Sequence, residues 1–499
     1  KFEFYINNNT ESGGLQMSNS AKLSARERIE SLVDANSFVE IGAYVKARNT
    51  DFNIQAKDTP SDGVITGYGV INGGLVYVYS QDASVLGGSV GEMHAKKIAS
   101  LYDMAMKTGS PVIGLIDSTG LRLQESVDGL NAFGQIYMKQ SLASGVIPTI
   151  TAIFGNCGGG LSIVAGLSDF TFMEVENAQL FVNSPNAITE NRKEICDNAS
   201  AKFQSEEAGN VDFVGTEAEV IEGIRNLVSV LPSNNEDEAS DLECYDDLNR
   251  AAEGIENCGE DTLLALENIS DDGFIIEAKR NYAPEMVTAF IKLNGATVGA
   301  VANRTKVYDD DMNVTAEFDA KLTAKGCNKA AEFVNFCDAF NIPVLTLTNV
   351  NGFAATMCQE KNGAKASSKL VYAFANATVP KVNLIIGDAI GSAYVTMNSK
   401  ATGADIVYAW PTAKVGMMEA KSAVEIMYAD EIASGDANQV INEKVAEYQN
   451  LQGSVMAAAA RGYVDSIVEP VDTRKYLIGA FEMLYTKFEE RPGKKHGTV

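Results

Sequence analysis

The sequence predicts an α/β protein built as two homologous halves, each a parallel sheet with crossover helices. Apolar β-type runs alternate with helical patterns at the spacing of βαβ units. The same signals then recur in the same order, in a chain of 499 residues that is too long for one ordinary core. The clearest repeat pairs residues 147–161 (IPTITAIFGNCGGGL) with 379–393 (VPKVNLIIGDAIGSA). Pro148 and Pro380, Gly155 and Gly387, and Gly159 and Gly391 are each 232 positions apart. Such ordered self-similarity marks duplication rather than low complexity.

Residues 1–16 (KFEFYINNNTESGGLQ) differ from the rest and are expected to be a tag or leader, or else a native arm. The helical pattern starts after Met17. Residues 64–80 alternate and turn at Asn72-Gly73, a hairpin signal. The loop SQDASVLGGSVGE follows, then a helix over 93–107 stopped by Gly109. Residues 111–117 (PVIGLID) read as a buried strand ending in the turn Asp117-Ser118-Thr119-Gly120, and a helix is expected over 131–144. Residues 231–240 (LPSNNEDEAS) read as a linker. The pattern then restarts. Residues 293–303 resemble the earlier hairpin strand and 328–340 read as a helix. Residues 343–349 (PVLTLTN) repeat 111–117, Gly352 repeats Gly120, and a helix over 369–376 precedes Pro380. Gly403-Ala404-Asp405-Ile406 echoes residues 167–170 at an offset of 236. The expected organisation is a leader (1–16), an N-terminal domain (17–240) and a C-terminal domain (241–499).

Composition narrows the function. A net charge of −26 argues against nucleic acid and anionic membrane surfaces as partners. No apolar run approaches the ~18 residues of a membrane span, and no secretory signal pattern opens the chain. Seven scattered cysteines without a CxxC pair fit a reducing cytoplasm and argue against a zinc ribbon or a disulfide framework. Only His94 and His496 are present, so a His-rich metal centre is excluded and no metal site is expected.

Three motifs have better bland readings. Gly87-Gly88-Ser89-Val90-Gly91 matches GxSxG, but a hydrolase elbow needs a strand running straight into the serine, and here a loop intervenes. Ala105-Met106-Lys107-Thr108 resembles part of a biotin-acceptor sequence, yet Lys107 ends a helix instead of occupying a hairpin tip. No biotin is therefore expected on this chain. No GxxxxGK[ST] or well-placed GxGxxG is present. The glycine turns are different. Sites in open parallel sheets lie at the carboxyl ends of strands, where both 117–120 and 156–160 fall. A strand that delivers glycines to a helix start leaves backbone N–H groups unpaired. Such donors stabilise oxyanions at about 3 kcal/mol each in a dry site. Two copies imply two carbonyl-derived anions, with proton transfer left to the substrates.

These residues resemble the carboxyltransferase (β-type) subunits of biotin-dependent acyl-CoA carboxylases, together with the related transcarboxylase and the α-subunits of sodium-pumping decarboxylases. The strings that carry the likeness include GYGVING (67–73), SQDASVLGGSVGEMH (80–94), AMKTGSPVIGLIDSTGLRLQES (105–126), GNCGGG (155–160), YAFANATVPKV (372–382), GADIVYAWPTA (403–413) and RPGKKHG (491–497). The resemblance implies duplicated crotonase (ClpP-like) carboxyltransferase domains. The N-half would bind acyl-CoA and the C-half biotin, borne on a separate biotin carboxyl carrier protein. The site would lie between the halves of different subunits in a hexamer. Gly159 and Gly160 would hold the thioester enolate. Ser392 and Ala393, beside Gly391, would hold the biotin ureido oxygen. Val395, Gly120 and Gly391 would border the substrate. A biotin carboxylase subunit or a membrane decarboxylase subunit is the further partner implied, in a cytoplasmic or peripherally attached complex.

Three departures bear on the substrate. Asn351 stands where many relatives have proline, in Asn349-Val350-Asn351-Gly352-Phe353. The loop 363–370 (GAKASSKL) lacks the usual Arg-His. Gly391-Ser392-Ala393-Tyr394-Val395 replaces Gly-Gly-Ala-Tyr-Asp, so the pocket wall loses a charge at Val395. Serine at 392 still offers its N–H unless that position needs φ > 0. The rival readings are a non-catalytic acyl-CoA-binding scaffold, disabled at Asn351 and Ser392, and a serine hydrolase at Ser89.

Overall fold

The computed structural model describes residues 22–50, 58–189, 197–237, 244–309 and 311–491. The segment 1–16, Cys196, His496 and most of RPGKKHG lie outside these.

The N-terminal half runs α1 (Ala25–Leu32), β1 (Val39–Ile41), β2 (Val64–Ile71), β3 (Gly74–Gln81), α2 (Glu92–Thr108), β4 (Val112–Ile116), α3 (Ser126–Ala143), β5 (Thr149–Ile153), β6 (Asn156–Gly158), α4 (Gly160–Gly166), β7 (Phe170–Glu174), β8 (Gln179–Phe181), β9 (Phe213–Gly215) and α5 (Glu217–Val230). Seven strands form one sheet in the order β1-β2-β3-β4-β5-β7-β9. It is antiparallel as far as β3 and parallel from there. The hairpin turns at Asn72 (φ 49°) and Gly73 (φ 88°), the paired left-handed residues that a two-residue loop demands. Strands β4, β5 and β7 are buried throughout, as parallel strands covered on both faces must be.

The C-terminal half repeats the plan. It contains α6 (Thr262–Ile269), β10 (Ile275–Ala278), β11 (Met286–Leu293), β12 (Ala296–Asn303), the small pair β13 (Lys306–Tyr308) and β14 (Val314–Glu317), α7 (Ala324–Ala339), β15 (Val344–Asn351), α8 (Met357–Asn376), β16 (Lys381–Ile390) and α9 (Gly391–Thr396). After these come β17 (Ile406–Ala409), β18 (Lys414–Gly416), α10 (Ala420–Met427), α11 (Ala429–Ser434), α12 (Ala437–Tyr448), α13 (Val455–Ala459), β19 (Ser466–Ile467) and α14 (Thr473–Leu484). The sheet order is β10-β11-β12-β15-β16-β17-β19, with β18 on the end of β16. The duplication extends to single bonds. Asp169 Oδ2 accepts the Thr149 N–H at 2.7 Å and Asp405 Oδ2 accepts the Lys381 N–H at 2.8 Å, each tying one strand to the start of the next.

Helices α3, α7 and α8 start earlier than expected, α7 at Ala324 instead of 328. Helix α3 starts at Ser126, five residues early, because Gly129 and Gly134 blur its period. Helix α8 starts at Met357, where the Thr356 side chain accepts the Gln359 N–H at 3.3 Å. Its first turns are polar on nearly every face and show no apolar stripe.

The halves share an apolar core. Phe170 packs edge-on against Phe336 (centroids 4.8 Å) and Phe290 (6.0 Å). Thr297 Oγ1 donates to the Val230 carbonyl at 2.8 Å, and the Lys279 N–H donates to the Asp212 carbonyl at 3.1 Å. A cavity of about 650 Å3 between the halves is lined by Asp169, Asp212, Lys279 and Glu332, among others. Burial pushes Asp169 and Asp212 up to about 6, against the Thr149 hydrogen bonds in the first case and the charge of Lys279 in the second. A carboxyl with a raised folded pKa contributes stability that is full below its unfolded value and lost as pH rises through about 6. Asp212→Asn, which keeps an acceptor for the Thr171 N–H, is therefore expected to shrink the fall in melting temperature between pH 4.5 and pH 7. Thermal melts of the variant and the parent across that range check this.

Candidate active site

The N-half turn is built by close approach. Gly155 follows β5, and a Cβ there would overlap Asp117 Oδ1. Asp117 is held by Lys22 at 2.8 Å and by the buried Arg28 at 3.2 Å. Arg28 also pairs with Glu217 at 2.5 Å and lies over the Phe154 ring. Strand β6 then pairs with β8, and this ladder runs one bond further: the Gly159 N–H donates to the Phe181 carbonyl at 3.0 Å. Gly159 has φ 61°, ψ −126°, a conformation that costs any L-residue with a Cβ. Helix α4 starts at Gly160. The N–H groups of Gly160 and Leu161 have no acceptor among the described residues.

This alters one expectation. Gly159 was expected to donate alongside Gly160, but the β6–β8 ladder uses its N–H. Gly159 supplies the left-handed turn instead, and the open donors belong to Gly160 and Leu161.

The C-half turn has the same geometry. Gly391 carries φ 70°, and a Cβ there would lie 3.3 Å from the Met417 carbonyl. Ser392 and Ala393 are the second and third residues of α9, and neither N–H has an acceptor among the described residues. Ser392 has no positive φ, so serine is accommodated without backbone strain. Gly160 and Ser392, like Leu161 and Ala393, are 232 positions apart. Val395, on the same short helix, is 41% exposed in the single chain. Met417 is one wall of a cavity of about 490 Å3, otherwise lined mainly by Met418, Ile426, Met427, Tyr428 and Tyr448.

Gly120 reaches the first turn. It has φ 95°, and a Cβ on it would lie 3.7 Å from the Gly158 carbonyl. Its N–H donates to Ser118 Oγ at 3.0 Å, and the Ser118 N–H donates to the Asn156 carbonyl at 3.0 Å. The loop before α2 is laced to the same place. Thr119 N–H donates to Gly87, Val90 N–H to Gly120, and Ser118 Oγ to Gly88. Arg122 locks this arrangement from inside, 1% exposed. It pairs with Asp62 at 2.6 Å and Glu125 at 2.8 Å, and donates to the Ser89 carbonyl at 2.7 Å. Burial pushes Asp62 up, with Arg122 opposing.

The GxSxG serine is structural. Ser89 Oγ donates to the Leu86 carbonyl at 2.7 Å and accepts from Arg122 Nε at 3.2 Å. His94 bonds Gln81 and the Asp62 backbone instead of Ser89, and burial with the nearby Arg122 charge pushes it down to about 3. Lys107 lies in the last turn of α2. Asn351, at the proline position, donates to Glu419 at 2.6 Å and Asp388 at 3.4 Å. Among the described residues no group of three or more His, Cys, Asp or Glu could hold a metal ion.

Arg122 and Tyr137, whose Oη donates to the Gly160 carbonyl at 2.7 Å, escaped the sequence reading. The only signal for Arg122 was an Arg-x-x-Glu spacing just after the Asp117–Gly120 turn. Tyr137 gave none.

A model of the carboxyl transferase domain matches residues 17–499. The chain belongs to the carboxyl transferase family. It is 39% identical over 493 residues to the methylmalonyl-CoA decarboxylase subunit alpha of Propionigenium modestum, covering 96% of this chain and 93% of that protein. It is 41% identical over 497 residues to a putative propionyl-CoA carboxylase beta chain of Bacillus subtilis, covering 97% and 95%. The crystal structure of transcarboxylase 12S superposes with a TM-score of 0.89 at 37% identity, covering 95% of this chain and 92% of that one. The duplicated crotonase-like fold expected for a carboxyltransferase is thus the fold found, and the protein is an enzyme of that class.

Removing Arg122 would leave the buried Asp62 and Glu125 without their ion-pair partner. Arg122→Met is expected to cost about 3–5 kcal/mol, read as a lowered urea midpoint. Ser89→Ala is expected to keep carboxyl-transfer turnover within about threefold of the parent, since Ser89 makes only loop bonds.

Proposed function

We infer that this carboxyltransferase moves a carboxyl group between biotin on a separate carrier protein and the α-carbon of a short acyl-CoA. The observation that supports this reading most is the pair of equivalent turns, each presenting two unpaired backbone N–H groups and no side-chain base. Gly160 and Leu161 would hold the thioester oxyanion. Ser392 and Ala393 would hold the ureido oxygen. Each donor of this kind is worth about 3 kcal/mol where charge develops in the transition state. Biotin supplies a ureido nitrogen basic enough, once its carboxyl is lost, to accept the α-proton. The chain's own part is to hold both oxygens and exclude water. Gly120 and the Arg122-locked loop shape the acyl-CoA side. Met417 and its cavity shape the biotin side. Val395 makes an uncharged wall suited to a short apolar acyl chain.

A second copy of the chain completes the site in this reading. Apolar side chains beside both turns are uncovered in the single chain. Leu123, Val127, Leu130, Met138 and Leu142 recur at helical spacing along the α3 region, with Leu123 79% exposed. Met417, Ile426 and Met427 flank the other turn, with Met417 74% exposed. Transcarboxylase 12S is described as a hexamer forming a multienzyme core, and we extend hexamer assembly to this chain. No helix among the described residues is long and apolar enough to cross a membrane, so a sodium-pumping decarboxylase role would need a separate membrane subunit.

The test mixes purified protein with free biotin and methylmalonyl-CoA or malonyl-CoA and follows avidin-sensitive decarboxylation. Turnover with one of them is the expected result. No turnover with either, or with glutaconyl-CoA, while CoA ligands still bind, would favour the scaffold reading.

A further inference from the structure

One feature of the two turns is not explained by donor placement alone. A side-chain hydroxyl donates to the carbonyl at the equivalent position of each. Tyr137 Oη reaches Gly160 O at 2.7 Å, and Thr396 Oγ1 reaches Ser392 O at 2.9 Å. The carbonyls are related by the 232-residue repeat, but the hydroxyls are not. Tyr137 comes from the facing helix α3, whereas Thr396 comes from one turn further along α9. The halves therefore reach the same peptide unit by different side chains.

The peptide unit makes this consequential. A trans peptide is planar, with the C=O of one residue and the N–H of the next on opposite sides. Fixing Gly160 O fixes the Leu161 N–H, and fixing Ser392 O fixes the Ala393 N–H. A hydrogen bond at the carbonyl end also polarises the unit and strengthens its N–H as a donor. Backing of the Thr396 kind, from i to i−4, occurs in ordinary helices. The Tyr137 bond is of another kind, since it crosses from one helix to the first residue of another. Its phenol oxygen is packed on the turn so closely that a Cβ at Gly160 would lie 2.8 Å from it. Ser162 adds a third hydroxyl on the neighbouring unit, its Oγ donating to Gly159 O at 2.7 Å, behind the Gly160 N–H.

We propose that Tyr137 and Thr396 are positioning residues, each backing the peptide unit whose N–H serves the oxyanion of its own half. This rests on the carboxyl-transfer reading, and assigns Tyr137 to the acyl-CoA half and Thr396 to the biotin half.

The test uses the full-length protein and two CoA thioethers, one ending in an alkyl group and one in a nitroalkyl group whose planar nitronate carries negative charge on oxygen, as an enolate does. The parent is expected to bind the nitronate more tightly than the alkyl thioether. Tyr137→Phe keeps the ring and is expected to weaken nitronate binding about 2- to 5-fold, with alkyl-thioether binding unchanged. Thr396→Val is expected to leave both affinities and the KM for acyl-CoA unchanged while lowering kcat with biotin by a similar factor. Equal weakening of both ligands by Tyr137→Phe would reduce Tyr137 to a wall of the pocket and overturn the proposal, as would full nitronate affinity in that variant. If the parent itself shows no preference for the nitronate, the oxyanion reading of the N-half falls, and this proposal with it.

Discussion

The constraint that both halves share is a strand-to-helix turn whose first helical N–H groups find no acceptor among the described residues. A helix start always has such groups, because no preceding turn supplies their acceptors. What is specific here is how the chain aims them. Gly159 and Gly391 take left-handed φ values of 61° and 70°, so the strand turns sharply and the first helical amides are not consumed by the sheet. The ladder stops one bond short of them: it takes the Gly159 N–H and leaves those of Gly160 and Leu161. The four N–H groups keep the register of the repeat, Gly160 with Ser392 and Leu161 with Ala393.

The duplication is stricter at the turns than around them. In the N-half the strand breaks between β5 and β6, while in the C-half β16 runs unbroken over ten residues. The side chain set against the glycine four positions before each turn glycine is Asp117 at Gly155 and Asn349 at Gly387. Asp117 needs the cations of Lys22 and Arg28. Asn349 instead accepts the Asp388 N–H at 3.0 Å. The loops feeding the turns also diverge. Arg122 is buried between two carboxylates in the N-half, whereas in the C-half Lys321 donates to the Asn351 carbonyl. The C-half loop has its own buried cation between carboxylates, Arg304 at 3.5 Å from Asp261 and 3.3 Å from Glu277, so each half carries such a group at a different place in its loop.

Much of this was legible in the sequence, because glycine, proline and apolar runs report directly on backbone geometry. The hairpin at Asn72-Gly73, the helix stop at Gly109 and the strands around Pro111 and Pro343 follow from φ preferences and burial. The repeat made the turns stand out without reference to any relative. What stayed hidden was tertiary. Nothing local shows that the Gly159 N–H meets Phe181, which lies 22 positions on and arrives through a separate strand. Arg122 reads as an exposed charge until the fold brings Asp62 to it. Tyr137 sits among apolar and polar residues of α3, and only the packing of α3 on α4 turns its hydroxyl toward Gly160. Helix α8 was underestimated for a related reason: its first turns bury little, so they carry no period to read.

A scaffold without turnover would need Asn351 or Ser392 to disable the second turn, and neither does so on physical grounds. A serine would close the second turn only if its position demanded a left-handed φ or if its side chain blocked the donor. Ser392 has no positive φ, lies on the exposed side of α9 and keeps its N–H without an acceptor among the described residues. Asn351 could have loosened the strand end that a proline would stiffen. Its amide instead donates to Glu419 and Asp388, and its carbonyl accepts from Lys321, which ties the strand end to the start of α10 and to the segment entering the turn. A proline could make neither amide bond. The donors at Ser392 and Ala393 therefore remain in place with their support intact. The departure with most room to act is Val395, where an uncharged, partly exposed side chain replaces an acid beside them. That change alters the surface beside the second turn and leaves the unpaired N–H groups of both turns as they are.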